Sequence, residues 1–225
     1  MNTSSDLNLD LGWRITEQSF RCICDKLREN DLGVMIEFGS GASTVRWALE
    51  FPNVKVISVE HDSTYLAETE RYIALAGVQD RVTLLHSPLA SIWINGRRYV
   101  TYKPPSFTFT TLVDCVIIDG PPSVTRRGRE ACLYYIYDVL KIGGIIVLDD
   151  ATRHDERTIV ESWTSVYPGS FAVSFADVGN GLAILKKVKH SNRHLSPSLF
   201  LDNYRLLLSQ LRQRLTSRLS GTSAK

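Results

Sequence analysis

The chain has 225 residues, 44% hydrophobic and 22% charged, which suits one α/β domain with appendages and the composition of an ordinary soluble protein. Net charge is +2, but nine Lys and Arg residues face one acid, Asp202, from Lys186 to Lys225, so the body is mildly acidic and a nucleic-acid groove on it is not expected. No run reaches 18 apolar residues and Met1 to Gly12 lacks an apolar signal core, which leaves no transmembrane segment and an expected cytoplasmic location. Cys22, Cys24, Cys115 and Cys132 form no C-x-x-C pair, so reduced thiols are expected rather than a metal cluster or disulfides.

Residues 1–14 read as a flexible N-terminus, followed by one domain over 15–188. A helix is predicted over 16–30, capped by Thr16, with Phe20, Ile23, Cys24 and Leu27 on one face. Residues 34–38 are an apolar run carrying one acid, Glu37, as in a strand buried in a parallel sheet. Gly39 and Gly41 turn the backbone tightly, and Ser43 or Thr44 caps the helix that follows. The next strand, 54–59, ends in Glu60, 19 positions after Gly41. Ser63 or Thr64 caps a crossover helix that runs to Ala76 and stops near Gly77. A third strand over 82–85 leads into His86-Ser87-Pro88.

There the alternation breaks. Asn95-Gly96 between two β-rich arms over 91–100 signals a hairpin, either a lid or wall for substrate or a structural edge, with Tyr102-Lys103-Pro104-Pro105 after it. A fourth strand over 113–119 ends in Asp119, and a helix over 129–140 is stopped by Gly143-Gly144. A fifth strand over 145–148 ends in Asp149-Asp150, and a helix over 156–167 follows. Two last strands, 171–177 and 182–187, flank Gly179-Asn180-Gly181 as an antiparallel hairpin. The sum is an α/β fold, a doubly wound Rossmann-like seven-stranded mixed sheet with a C-terminal antiparallel hairpin and helices on both faces. Residues 189–198 read as a polar linker and 199–225 as a basic C-terminal helix. That helix packs on the body, pairs two subunits as a homodimer, or rests on an acidic surface.

Strand, glycine turn and helix N-terminus together make a cradle for a nucleotide-like ligand, and Glu60 stands where such folds place a carboxylate against ribose hydroxyls. Glu37-Phe38-Gly39-Ser40-Gly41, Val59-Glu60-His61-Asp62, Ile118-Asp119-Gly120 and Leu140-Lys141-Ile142-Gly143-Gly144, in this order, resemble the class I S-adenosylmethionine-dependent methyltransferases. The resemblance covers about residues 15–188. It implies that Glu37 and the backbone from Gly39 through Ser40 to Gly41 and Thr44 hold the methionine end of the cofactor. It implies that Glu60 takes the ribose diol, that His61, His86 and Ser87 border the adenine, and that Asp119 faces the methionine amino group or the reacting centre. The sulfonium cofactor carries an ammonium and a diol, and carboxylates at strand ends satisfy both.

A narrower resemblance is to cation-dependent catechol-type O-methyltransferases, whose metal positions match Asp119, Asp149 and Asp150 here. It implies Mg²⁺ or another divalent cation, with Asp119 and Asp149 as the catalytic pair that activates a substrate hydroxyl. Two departures stand against it: Asp150 replaces an asparagine, and Pro122 replaces the catalytic lysine. Read from the residues alone, Arg126, Arg127, Arg129 and Arg153 either clamp an anionic group on the acceptor or are solvated, and His154 is a base or merely exposed. The expected activity is methyl transfer to a hydroxyl of a small-molecule acceptor. The rival readings are an NAD(P)-binding oxidoreductase, opposed by Thr44 at the third glycine position, and a catalytically inert binding or assembly module.

Overall fold

In the computed structural model, residues 15–104 and 111–195 are described. The expected flexible N-terminus, Pro105 and the basic C-terminal helix with its dimer role lie outside them.

Helix α1 (Glu17–Arg28) starts where Thr16 accepts the Ser19 amide, and it leads to β1 (Val34–Phe38), the strand at the middle of the sheet. Then follow α2 (Ala42–Glu50), β2 (Lys55–Glu60), α3 (Ser63–Ala76), β3 (Val82–His86), β4 (Leu89–Ile94) and β5 (Arg97–Tyr102). β6 (Val113–Ile118), two short 3₁₀ turns, α4 (Glu130–Ile136), β7 (Leu140–Asp149), α5 (His154–Val166), β8 (Phe171–Ala176) and β9 (Leu182–Lys187) complete the order. Seven strands form one sheet in the order β3-β2-β1-β6-β7-β9-β8, and β4 and β5 pair separately. β9 runs antiparallel to both of its neighbours, while the pairs from β3 to β7 are parallel.

The central strands bury both faces, and their alternation divides the core in two. Met35, Cys115, Ile117 and Val147 face α1, α2 and α3, whereas Ile36, Phe38, Val116, Ile118 and Leu148 face α4, α5 and β5. On the first side Phe20 stacks on Trp47 with ring centroids 4.3 Å apart, and the Arg46 guanidinium lies 3.6 Å over the Phe20 ring. Between the two crossovers, β1 and β6 are neighbours whose following helices lie on opposite faces. Their carboxyl ends diverge into a crevice, the switch point of a doubly wound sheet.

Local chemistry moves several predicted boundaries. The cap of α3 is Asp62, whose carboxylate accepts the Thr64 and Tyr65 amides at 2.7 and 3.2 Å; neither Ser63 nor Thr64 caps it. The cap of α2 is Gly41, because the Ser43 and Thr44 hydroxyls are committed to Glu37 beneath the turn. Gly143-Gly144 does not stop a long helix but lies inside β7 as a bulge: Val113 pairs with Leu140, yet Cys115 pairs with Ile145. The helix expected over 129–140 shortens to α4, and the turn from its cap residue to β7 meets the buried Lys187 ammonium, 2.6 Å from Tyr137 O and 2.8 Å from Leu140 O. The described part of the expected linker, 189–195, is docked: Ser191 N donates to Tyr137 OH at 2.7 Å and His194 N to Val166 O at 2.7 Å. All four cysteines are free thiols, three of them buried. Among the described residues no helix is long and apolar enough to cross a membrane.

Candidate active site

The loop after β1 is set by one glycine. Gly39 has φ +100°, where a side chain would be strained, and its Cα packs against Gly120, so that a Cβ would stand 3.0 Å from the Gly120 amide. Gly41 is extended and needs no glycine for its backbone; a Cβ there would meet no protein atom within 4 Å. It borders a cavity of about 500 Å³ instead, and its missing side chain leaves that cavity open along the start of α2. The amides of Gly39 and Gly120 bond to Val59 O and Phe38 O at 2.9 and 2.7 Å, which locks the two loops together.

Glu37 lies beneath this turn and does not reach the cavity. It has no exposed surface, and it accepts Ser43 Oγ at 2.6 Å, Ser58 Oγ at 2.8 Å, Trp47 Nε1 at 2.9 Å and the Thr44 hydroxyl. Burial pushes its carboxyl up to about 7 although four hydrogen bonds oppose the shift. Thr44 is buried with it and donates nothing to the cavity. Both therefore hold the turn from below, and neither of these expected cofactor-binding residues lines the cavity. Glu60, at the end of β2, does line the cavity; its oxygens accept Ser40 N at 2.9 Å, His61 N at 2.7 Å and Asp62 N at 2.8 Å. His61 lines it too, with Nδ1 2.7 Å from Glu60. His86 and Ser87 stand outside: His86 is exposed with Nε2 3.1 Å from His61 O, and the buried Ser87 donates to Lys103 O at 2.5 Å.

The other end of the cavity is acidic. Asp119 after β6, with Asp149 and Asp150 at the end of β7, bring carboxylate oxygens within 4.8 Å of one another. Asp150 holds a left-handed backbone, φ +62°, which turns the chain so that both neighbouring acids face the same crevice. Arg129, expected at the mouth, is buried among them. Its Nη1 is 3.1 Å from Asp150 Oδ2 and 3.2 Å from Asp149 O, and its Nη2 is 3.4 Å from Asp119 Oδ1. Arg153 reaches Asp150 at 2.7 Å from the half-exposed side, and Glu156 lies 3.8 Å from Arg129. Burial raises the carboxyl of Asp119, with Arg129 opposing and Asp150 adding to the shift. Burial, then Asp119 and Asp150, push Asp149 up to about 7. Four carboxylates against two guanidiniums leave a surplus of negative charge, and Asp149 Oδ1 is buried with no hydrogen-bond partner. The cluster thus has the donor set and charge for a hard cation or for bound protons.

Sequence reasoning missed several cavity residues, among them Tyr65, Thr69, Tyr102, Ser123 and Asn180. Asn180 comes from the tip of the β8–β9 hairpin, which docks on the Asp150 loop through Ala151 N to Gly181 O at 2.9 Å. Tyr65 and Tyr102 also line the cavity; Tyr102 belongs to the β4–β5 hairpin, which is a wall pinned to α4 rather than a free lid. Arg126, Arg127 and His154 are not among the cavity residues, and Arg127 pairs with Glu130.

A sequence profile described as a methyltransferase domain matches residues 36–151, just over half of the chain. The chain belongs to this methyltransferase family. The match spans the glycine turn, Glu60, Asp119 and the Asp149-Asp150 pair. Over 85 residues the chain is 32% identical to catechol O-methyltransferase of Bos taurus, covering 36% of the chain and 31% of that enzyme. The chain therefore matches under a third of the curated relative's length. Its fold resembles the O-methyltransferase TomG of Streptomyces achromogenes, solved with S-adenosylmethionine (TM-score 0.60, 12% identity, 78% of this chain and 82% of that one). It also resembles the Podospora anserina methyltransferase PaMTH1, solved with S-adenosylhomocysteine (TM-score 0.57, 16% identity, 75% and 77% covered).

Proposed function

We propose that this methyltransferase domain transfers a methyl group from S-adenosylmethionine to a hydroxyl of a small-molecule acceptor. The observation that carries the reading is the crevice itself: one cavity joins Glu60 and the open glycine turn to the carboxylates of Asp119, Asp149 and Asp150. The cofactor supplies an electrophilic methyl group on a sulfonium sulfur. Glu60 binds the ribose diol, the backbone of Gly39, Ser40 and Gly41 runs beside the methionine portion, and His61 borders the adenine. Asp119 stands between the two halves. It and Asp149 take the proton of the acceptor hydroxyl, a task suited to carboxyls that burial has made more basic. Because methyl transfer is a direct displacement, the main contribution of the protein is alignment of nucleophile, methyl carbon and sulfur. Arg153 and Asn180 also line the cavity, and this reading gives them to the acceptor.

Asp119, Asp149 and Asp150 also fit a divalent cation, which when bound would lower the pKa of the acceptor hydroxyl. The surplus negative charge and the orphaned Asp149 oxygen support that fit. Arg129 already partners Asp119 and Asp150, so a cation would share these ligands with a guanidinium.

Thermal unfolding tests the reading. S-Adenosylhomocysteine at about 100 times its dissociation constant should add roughly 2.7 kcal/mol of stability, with no shift from NAD. A further rise with Mg²⁺ or Mn²⁺ would support the cation. Stabilisation by NAD alone would turn the assignment to an oxidoreductase, and no shift with any ligand would favour an inert module.

A further inference from the structure

Tyr102 is 1% exposed, yet its hydroxyl has no hydrogen-bond partner in the protein and the residue borders the cavity. A buried, unsatisfied hydroxyl is a standing penalty of about 1–3 kcal/mol, so its retention where a phenylalanine would pack equally well calls for a partner outside the fold. Its position says which partner. The hydroxyl lies against Gly120, where a Cβ would collide with it, at the contact between the Gly39 and Gly120 loops. The ring packs on Phe38 with centroids 5.6 Å apart and meets the edge of His61 at 6.2 Å. After burial and Cys132, Glu60 and Asp119 also oppose ionisation of the phenol, and all three residues Glu60, Tyr102 and Asp119 line the one cavity.

The residue is also held rather than mobile. Tyr135 OH donates to Tyr102 O at 3.0 Å, and the adjacent Thr101 hydroxyl donates to Gly128 O at 2.9 Å. Three residues upstream, Tyr99 OH donates to Glu130 at 2.8 Å, which fixes the strand against α4. A side chain on a strand fixed in this way, with an unpartnered buried hydroxyl at the border of a cavity, is placed to meet a ligand.

We infer that the Tyr102 hydroxyl hydrogen-bonds the bound adenosyl ligand at the middle of the molecule, between the ribose held by Glu60 and the sulfur end near Asp119. The β4–β5 hairpin then contributes to the cofactor site a contact that the glycine turn and strand-end acids do not supply. The phenol is neutral and stays so at any working pH, because burial holds its pKa well above the usual value. It can therefore donate to a ribose oxygen without adding charge beside the sulfonium. The acceptor is the less suitable partner, since the reading above assigns it to the side of Arg153 and Asn180, which line the same cavity.

The inference rests on the adenosyl cofactor proposed above, and one experiment separates the two. Wild type and Tyr102→Phe are titrated calorimetrically with S-adenosylhomocysteine, and both are melted without ligand. Loss of one neutral hydrogen bond should weaken binding by about five- to tenfold. The ligand-free melting temperature should stay equal or rise, because no bond within the protein is lost. Equal affinities in the two proteins would overturn the Tyr102 contact while leaving the cofactor intact. A ligand-free melting temperature lowered by several degrees would also overturn it, since the hydroxyl would then have a partner within the fold. Absence of binding by wild type would instead remove the cofactor reading, and this inference with it.

Discussion

Glu37 illustrates how a residue can matter to a site it does not touch. Its carboxylate gathers two hydroxyls of α2, one of β2 and the Trp47 indole, so the first turn of α2 is tied to the strands beneath the glycine loop. Burial raises its carboxyl from 4.5 to about 7, and the sign of the consequence follows from that direction. Between those values the unfolded chain has lost the proton while the folded chain keeps it. Stability contributed by the protonated form is thus fully present below about 4.5 and is lost as pH rises through about 7. Relative to Glu37→Gln, which cannot ionise, the wild type should lose on the order of 2 kcal/mol between pH 5 and 8 in urea melts. Parallel curves for the two proteins would mean that Glu37 is ionised throughout.

At the level of elements, the β4–β5 hairpin replaces the crossover helix that a regular βα repeat would place after β3, and its docking depends on one acid. Glu130, with no exposed surface, accepts Tyr99 OH and Tyr134 OH at 2.8 Å and Ser162 Oγ at 2.6 Å on one oxygen, and its other oxygen pairs with Arg127. The hairpin, α4, α5 and the preceding 3₁₀ turn meet at that carboxylate. Glu130→Ala should cost about 3–5 kcal/mol, because it strands the partly buried Arg127 guanidinium and three hydroxyls, whereas Glu130→Gln should cost less by keeping an acceptor. Chemical denaturation of the two variants measures this. A loss under about 1 kcal/mol for the alanine variant would show that the hairpin docks by apolar contact alone.

For the molecule as a whole, the ends of β1, β2, β6 and β7 open on one edge of the sheet, and both hairpins close around that edge. The residues of the crevice come from loops separated by more than half the chain, so the site exists only when the complete sheet does. The segment after β9 ends its described course against α5, where His194 N meets Val166 O at 2.7 Å. A chain truncated after Leu195 should therefore fold and keep the stabilisation by S-adenosylhomocysteine within about 1 kcal/mol of the full chain. Loss of that shift would assign residues 196–225 a part in the cofactor site. Retention of the shift together with loss of a binding partner would place their role in assembly.

The sequence by itself determined the strand count, the order of acids at strand ends and the closing hairpin. These follow from local signals: apolar runs with period 2, glycine turns, and Asn95-Gly96, whose φ values of +53° and +73° suit a tight hairpin turn. It also singled out Gly39, Ser40, Gly41, Glu60, His61, Asp119, Asp149 and Asp150, which line one crevice because each sits at the carboxyl end of a strand and that end is shared. Only the tertiary structure decided which side of each strand faced the ligand. A one-residue step reverses direction in a strand, so Glu37 went beneath the turn while Phe38 and Tyr102 met on the other face. The burial of Arg129 among the acids and the approach of Asn180 depend on contacts between segments 10 to 28 residues apart, as from Arg129 to Asp119 and from Thr152 to Asn180. No local pattern encodes such pairings, because they are set by how two faces of a sheet pack.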